Sequence, residues 1–240
     1  MSSSTSRLRH VAFDDARPPG WAARARFGKT SPVIYILGLL ARAGHGKTTV
    51  AQHLATNHHA EVHSLAGPLK RAAQRVFGFT DEQVWGAQKE AVDPRYGFSP
   101  RWLLQRLGTE GLRVEFEEDI HVRALLRGLR RRPADAPPRL VVVDDVRFPN
   151  DARLIAEGGP DFRGAVMKLV CTDAAPGASA GTHASEDAID DVRPEDVACT
   201  VTSSRAQGLA HLYREVDEAL RGDAFAALRP ALPLAPGDAR

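Results

Sequence analysis

The chain has 240 residues, of which 43% are apolar and 26% charged, and its 32 basic and 30 acidic side chains leave a formal net charge of +2. That balance gives no electrostatic case for nucleic-acid binding, and two cysteines, Cys171 and Cys199, do not make a disulfide framework. The longest apolar run, 33–41, is too short to span a bilayer, no apolar signal-peptide core opens the chain, and a reducing cytoplasm is the expected compartment.

Residues 1–30 are rich in Ser, Arg, Pro and Gly without a sustained period and are expected to form a flexible leader. From 31 onward, strand-like and helix-like segments alternate. Val33–Gly38 reads as a buried strand. The run Ala41-Arg-Ala-Gly-His-Gly-Lys-Thr48 follows directly and fits the relaxed phosphate-loop pattern A/G-x-x-x-x-G-K-S/T. Gly44 and Gly46 let the backbone curl so that several N–H groups, those of Ala43, His45 and Thr49 among them, can face one anion. Lys47 can set a point charge against the β- and γ-phosphates of a nucleoside triphosphate, and the Thr48 hydroxyl can ligate Mg²⁺. The helix expected over Lys47–Asn57 adds its positive dipole end.

A strand over Glu61–Leu65 is followed by Ala66-Gly-Pro-Leu-Lys70, where Pro68 starts a helix to Phe77 and Lys70 sits in its first turn. A further helix is expected over Asp81–Gly86. Ser99 with Pro100 marks the start of another, Arg101–Leu107, whose apolar side is Leu103, Leu104 and Leu107. Arg101 and Gln105 share a different side, and Gly108 is expected to break the helix and expose Thr109 and Glu110. Such a group reads equally as a site for a phosphate, a sugar hydroxyl and a base edge, or as a solvated amphipathic face.

Phe116–Arg131 is read as a helix whose Arg123, Arg127, Arg130 and Arg131, continuing to Arg132, pair with preceding acids. Leu140–Asp144 is a strand that ends in two carboxylates, Asp144 and Asp145, either able to orient a metal ion, with Asp145 favoured. Arg147 follows within reach of a phosphate, and Asn150 or Asp151 can cap the helix expected to 157. After a strand over Ala165–Val170, the glycine-bearing stretch Thr172–Glu186 suits a mobile cover, and His183 within it is a ligand, a general base or neither. A last strand, Val197–Thr202, and a helix, Ala206–Arg221, precede an Ala/Pro/Gly-rich segment over 222–240 that is expected to trail off the domain. Buried strands alternating with helices imply an α/β fold with a parallel sheet of five strands covered by helices on both faces. Ligands are then expected at the carboxyl ends of the strands.

Four further motifs stand in a fixed order: Ala66-Gly-Pro-Leu-Lys70, Pro100-Arg-x-x-Leu-Gln-x-x-Gly-Thr-Glu-x-x-Arg113, Asp145-Val-Arg-Phe-Pro-Asn150 and His183-x-Ser-Glu186. With the phosphate loop they resemble the phage-type deoxynucleoside monophosphate kinases, a branch of the P-loop nucleotide kinases, over roughly 33–220. The resemblance implies a P-loop NTPase three-layer sandwich over 31–221, with a cover segment at about 171–190. It implies ATP and Mg²⁺ as the donor pair, held by the loop residues, Thr48 and Asp145. It also implies a deoxynucleoside monophosphate as acceptor, bound by Lys70, Arg101, Gln105, Thr109, Glu110, Arg113, Arg147, His183 and Glu186, with Lys47, Arg101, Asp145 and Arg147 acting on the transferring group. Neither nucleic acid nor membrane is expected as a partner, and the chain is expected as a monomer or homodimer. Three departures stand out: Asp151 replaces a usual Glu, His121 a common Trp, and Cys171 a frequent Arg. Because the whole stretch 171–186 lacks Lys and Arg, Arg42, Arg101, Arg113 or Arg147 has to supply the charge that a cover arginine would. The readings that compete with this one are a kinase of another small acceptor and a nucleotide-binding regulatory protein with little turnover.

Overall fold

The computed structural model describes residues 33–131, 140–174 and 188–232. Five strands, β1 (Ile34–Leu40), β2 (Glu61–His63), β3 (Leu140–Val146), β4 (Phe162–Cys171) and β5 (Cys199–Ser203), form one parallel sheet in the order β2-β3-β1-β4-β5. Between and after them lie helices α1 (Lys47–Asn57), α2 (Gly67–Phe77), α3 (Asp81–Val84), α4 (Pro100–Gln105), α5 (Ile120–Leu129), α6 (Pro149–Glu157) and α7 (Gly208–Arg221).

The strand sequences explain the layering. In β1 every residue from Ile36 to Leu40 is buried, because alternate side chains serve opposite faces of a sheet covered on both sides. Leu37 and Leu39 pack with Leu140, Val142 and Met167 against Val50 and Leu54 of α1 and Leu212, Val216 and Leu220 of α7. Ile36 and Leu40 point the other way, with Val141, Val143 and Val166, onto Val122, Leu125 and Leu126 of α5 and Ala152 and Ile155 of α6. The result is the three-layer α/β sandwich expected of a P-loop NTPase. Its chain path turns back on itself at β1: β2 lies on one side of the β1–β3 pair and β4 on the other. The loop after β1 therefore opens at a topological switch point.

Two boundaries differ from the sequence reading for identifiable reasons. The chain does not leave the domain at 222. A 3₁₀ segment over Asp223–Ala231 returns Phe225 and Leu228, both fully buried, and Ala231 to the α1/α7 side of the core. Apolar residues spaced three apart outweigh the Ala/Pro/Gly composition. Nor does Gly108 end a helix. α4 passes directly into a π-helix over Arg106–Val114, and Gly108 inside it is pressed against α2, where a Cβ would come 3.1 Å from Leu69 Cδ2. The glycine there serves a close approach rather than a chain reversal. No helix of the described residues is long and apolar enough to cross a membrane.

Candidate active site

The loop after β1 curls where its glycines allow it. Gly44 and Gly46 have φ of +80° and +87°, a left-handed backbone that side-chain-bearing residues rarely adopt. Gly46 is the N-cap of α1, so the first N–H groups of that helix and of the loop face the same opening. Lys47 folds its ammonium back across the loop onto the carbonyl oxygens of Ala41 and Arg42. His45 Nδ1 accepts a bond from the Cys171 N–H at 3.2 Å, which joins the loop to the end of β4. Burial, followed by the nearby charges of Lys47 and Arg42, holds the His45 imidazole below its ordinary pKa, so the loop is kept neutral at that position near pH 7.

From Lys47 and Thr48 a cavity of about 470 Å³ runs along the carboxyl edge of β2 and β3. Its walls come from Ser64–Ala66 after β2, Leu69 and Lys70 of α2, Asp144, Asp145, Arg147 and Phe148 at the end of β3, and Arg101, Gln105, Thr109 and Arg113 of α4 and the π-helix. The last four stand four residues apart. On the wider turn of a π-helix, of about 4.4 residues, this spacing stays on one side. Arg106 and Glu110 between them are exposed and pair with each other at 2.6 Å. Thus, of the expected acceptor-side residues, Lys70, Arg101, Gln105, Thr109, Arg113 and Arg147 come together. Glu110 is not brought to the cavity, because the continued helix turns it to the surface. His183, Ser185 and Glu186 lie outside the described residues.

The two aspartates at the end of β3 do different things. Asp145 accepts from the Ser64 hydroxyl at 2.6 Å, the Leu65 N–H at 2.7 Å and the Ala66 N–H at 3.1 Å. Its carboxylate is thereby committed to holding the loop after β2 against β3. Both aspartates line the cavity with Lys47 and Thr48; at Asp144, burial, then repulsion from Asp145, push the pKa up to about 6. A carboxylate so placed favours either a proton or a cation. Lys70 reports the same environment, its pKa lowered by burial against the pull of Asp145 and Asp144, while its ammonium lies over the Trp85 ring at 4.1 Å.

The arginines are also sorted. Arg113 is buried and spends three N–H bonds on Asp151 Oδ1 and Oδ2 and the Glu118 carbonyl, with its plane 4.3 Å from the Phe148 ring. Asp151, fully buried within α6, is therefore a partner of Arg113 and not a helix cap; burial raises its pKa to about 6 against that pairing. Asn150 likewise lies inside α6 and donates to the Glu118 carbonyl at 2.9 Å. Arg101 pairs with Glu90 at 3.1 Å. Arg42, exposed, pairs with Asp190.

Several cavity residues escaped the sequence reading. Trp85 and Lys89 come from the stretch after α3, where no motif marks them. His121, seen only as a departure from a pattern, donates from Nε2 to the Gly108 carbonyl at 3.1 Å and lines the cavity. Burial, then Arg113, lower its pKa, so the neutral ring donates from Nε2. Arg205, in the loop after β5, has its guanidinium 3.8 Å from where a Gly44 side chain would begin, and its backbone N–H and that of Ala206 are held by Asp173 at 2.7 and 3.2 Å. The available signal was position: like the other site loops, it follows a strand at the carboxyl edge.

The chain is similar to a protein of Acanthamoeba polyphaga mimivirus named "Putative deoxynucleotide monophosphate kinase", with 32% identity over 197 residues, 77% of this chain and 97% of that protein. No protein-family model matches the chain. Among solved structures, TT1252 from Thermus thermophilus aligns with a TM-score of 0.44 at 18% identity, over 80% of this chain and 97% of that one. An unliganded sugar kinase from Janibacter sp. HTCC2649 aligns at 0.39 and 16%, over 85% and 100%. A shikimate kinase from Acinetobacter baumannii, in complex with shikimate, aligns at 0.26 and 18%, over 85% and 81%. At those scores the structural likenesses carry no argument beyond the topology described above.

Proposed function

Since the chain belongs to the deoxynucleotide monophosphate kinase family, we propose that it transfers the γ-phosphoryl group of ATP to the phosphate of a deoxynucleoside 5′-monophosphate, giving ADP and the diphosphate. The observation that carries this reading is the charge in the cavity. Lys47, Lys70, Lys89, Arg101, Arg113 and Arg147 line one space with two carboxylates, Asp144 and Asp145. Two phosphorylated substrates need that excess of cations, and about 470 Å³ is room for a nucleoside monophosphate.

The donor half is the Ala41–Thr49 loop. Its backbone N–H groups and the start of α1 cradle the β- and γ-phosphates, and Lys47 moves from its resting carbonyl bonds onto them. Thr48 and Asp144 are the pair fitted to hold Mg²⁺, because a hydroxyl and a half-buried carboxylate destabilised in its ionised form face the same opening. The ion supplies neutralisation of the charge on the transferring group. The acceptor half is the π-helix face. Arg101 and Arg147 grip the acceptor phosphate; Arg113, locked by Asp151, holds one wall in place. Gln105, Thr109 and His121 meet the sugar and base, with Trp85 offering a ring face.

Transfer joins an acceptor phosphate oxygen to Pγ and breaks the bond from Pγ to the β,γ-bridging oxygen. No protein nucleophile is needed, since positioning and charge neutralisation account for this class of reaction. Lys70, with its pKa lowered and its charge between the two halves, neutralises the oxygens that come together. Arg205 beside Gly44 supplies a cation on the donor side that the 171–186 stretch lacks.

The deciding experiment measures ADP release from ATP against each deoxy- and ribonucleoside monophosphate in turn, with Lys47→Ala as control. Turnover with one or more deoxynucleotides, lost in Lys47→Ala, is the expected result. ATP binding without ADP release across the panel would overturn the assignment in favour of a nucleotide-binding regulator. Turnover undiminished in Lys47→Ala would overturn the site.

A further inference from the structure

At the end of α1 remote from the phosphate loop, three ligand-capable side chains converge. His53 Nε2 and His58 Nε2 each lie 2.8 Å from Asp217 Oδ1 of α7, and the three ligand atoms all fall within 4.8 Å of one another. We propose that His53, His58 and Asp217 form a structural Zn²⁺ site that clips α1 to α7. The site is separate from the nucleotide-binding cavity and does not rest on the proposed activity. His58 stands eleven positions beyond Lys47, which is about 16 Å along a helix axis.

The donor set is two imidazoles and one carboxylate, a set that suits Zn²⁺ with one coordination position left for water. Exposure is graded to match: the side chains of His53, His58 and Asp217 are 6%, 17% and 26% accessible, so the group has a closed floor and an open rim. Tetrahedral ligands on zinc stand about 3.3 Å apart. The 2.8 Å spacing seen here therefore has to widen by roughly half an ångström, within the reach of small side-chain rotations.

The surroundings hold the rings without committing their ligand atoms irrevocably. His53 is stacked on Tyr213, with ring centroids 4.2 Å apart and planes within 5°. Its Nδ1 faces the Asn57 amide at 3.0 Å. When Nε2 ligates, the ring proton moves to Nδ1, and the Asn57 oxygen, brought round by a half-turn of the amide at the expense of its bond to the His53 carbonyl, accepts it. His58 Nδ1 is buried with no hydrogen-bond partner, so its Nε2–H donates to Asp217, and ligation through Nε2 moves that proton to Nδ1. His58 is also the C-cap of α1, where the negative end of the helix dipole favours a cation. Three ligand atoms from two elements and the field of a helix end thus point to the same ion.

The test uses the full chain purified without a histidine tag and stripped of metal with a chelator, in the absence of nucleotide. Zn²⁺ is titrated in competition with a chromophoric chelator, under excess Mg²⁺, and Co²⁺ is substituted for its visible spectrum. Expected are one Zn²⁺ per chain, a thermal midpoint raised by Zn²⁺, and a tetrahedral Co²⁺ spectrum without thiolate charge-transfer bands. His58→Gln and Asp217→Asn, checked for native circular dichroism, should each weaken binding by more than the roughly 10–100-fold that loss of an outer-shell partner costs. Cys171→Ser/Cys199→Ser should bind as the unaltered chain does. The proposal is overturned if no stoichiometric Zn²⁺ binds, if binding survives both ligand variants, or if the Co²⁺ spectrum shows sulfur ligation. In the first case the cluster is only a hydrogen-bonded tie between two helices.

Discussion

Asp144→Asn should make the protein more stable and less active, and the gain in stability should depend on pH. Burial and the neighbouring Asp145 raise the Asp144 pKa from 3.8 to about 6. A carboxyl whose folded pKa lies above its unfolded value penalises folding wherever it must ionise. That penalty is absent below the unfolded pKa, grows between the two values and is complete above the folded one. The interval from 3.8 to about 6, at about 1.4 kcal/mol per pH unit, amounts to roughly 3 kcal/mol. Because Asp144 is only half-buried, solvent relaxes part of it, and about 1–2 kcal/mol is expected at about pH 7.5. For a chain of this length that raises Tm by about 2–8 °C. The amide has the shape of the protonated acid, so the advantage over the unaltered protein should shrink to about half by about pH 5. Denaturant unfolding of both proteins at the two pH values, without nucleotide or Mg²⁺, measures this, and comparing the pair cancels the other titrating groups. In kinase assays the same substitution should lower kcat by roughly 100-fold or more, as loss of charge at the transferring group does. A gain that does not change with pH would refute the electrostatic account. Undiminished Mg²⁺-dependent turnover would remove Asp144 from the metal site.

Asp145→Asn should behave oppositely: its amide N–H₂ replaces one of the two oxygens that accept from two backbone N–H groups and a hydroxyl, so stability should fall by about 1–3 kcal/mol in thermal unfolding, with the loop 64–66 loosened. Arg113→Ala strands the fully buried Asp151 and should cost about 3–5 kcal/mol, whereas the apolar pair Arg113→Met/Asp151→Leu should recover most of that stability without recovering turnover. Truncation after Gly222 removes Phe225 and Leu228 from the core and should cost about 3–6 kcal/mol of unfolding free energy. Arg205→Ala should raise KM for ATP and leave KM for the acceptor unchanged, since its guanidinium stands at Gly44 and not in the acceptor cavity.

Much of the fold was legible because the relevant signals are local. β1 is a short apolar run that stops at a glycine-rich loop, α1 begins at Lys47 where the sequence places it, and Ser99 accepts the Trp102 N–H that makes it a cap. The site was legible to the extent that its residues lie in loops following strands or at four-residue spacing. What stayed hidden depends on partners distant in sequence. Asp144 and Asp145 are chemically the same residue in adjacent positions, and only the N–H groups of Leu65 and Ala66, about eighty residues earlier, decide which carboxylate is committed. The pairing of Arg42 with Asp190 likewise depends on a residue far along the chain.

Gly108 makes the same point about local propensity. A glycine after seven helical residues is a fair stop signal, but here the helix carries on with a wider turn. Continuing the helix buries Gly108 against Leu69 and lets its carbonyl meet His121. It also brings Thr109 and Arg113 onto the line begun by Arg101 and Gln105, and it turns Glu110 outward to Arg106. Gly108→Ala would place a methyl group 3.1 Å from Leu69 Cδ2, tighter than the contact tolerates without movement of α2. The direct cost should be about 1–3 kcal/mol of stability. The larger effect should fall on KM for the acceptor, because α2 carries Lys70 and the π-helix carries Thr109 and Arg113 into the lining of one cavity. Loss of stability with unchanged acceptor KM would mean that the glycine serves packing alone, and that the wide turn owes its position to other contacts.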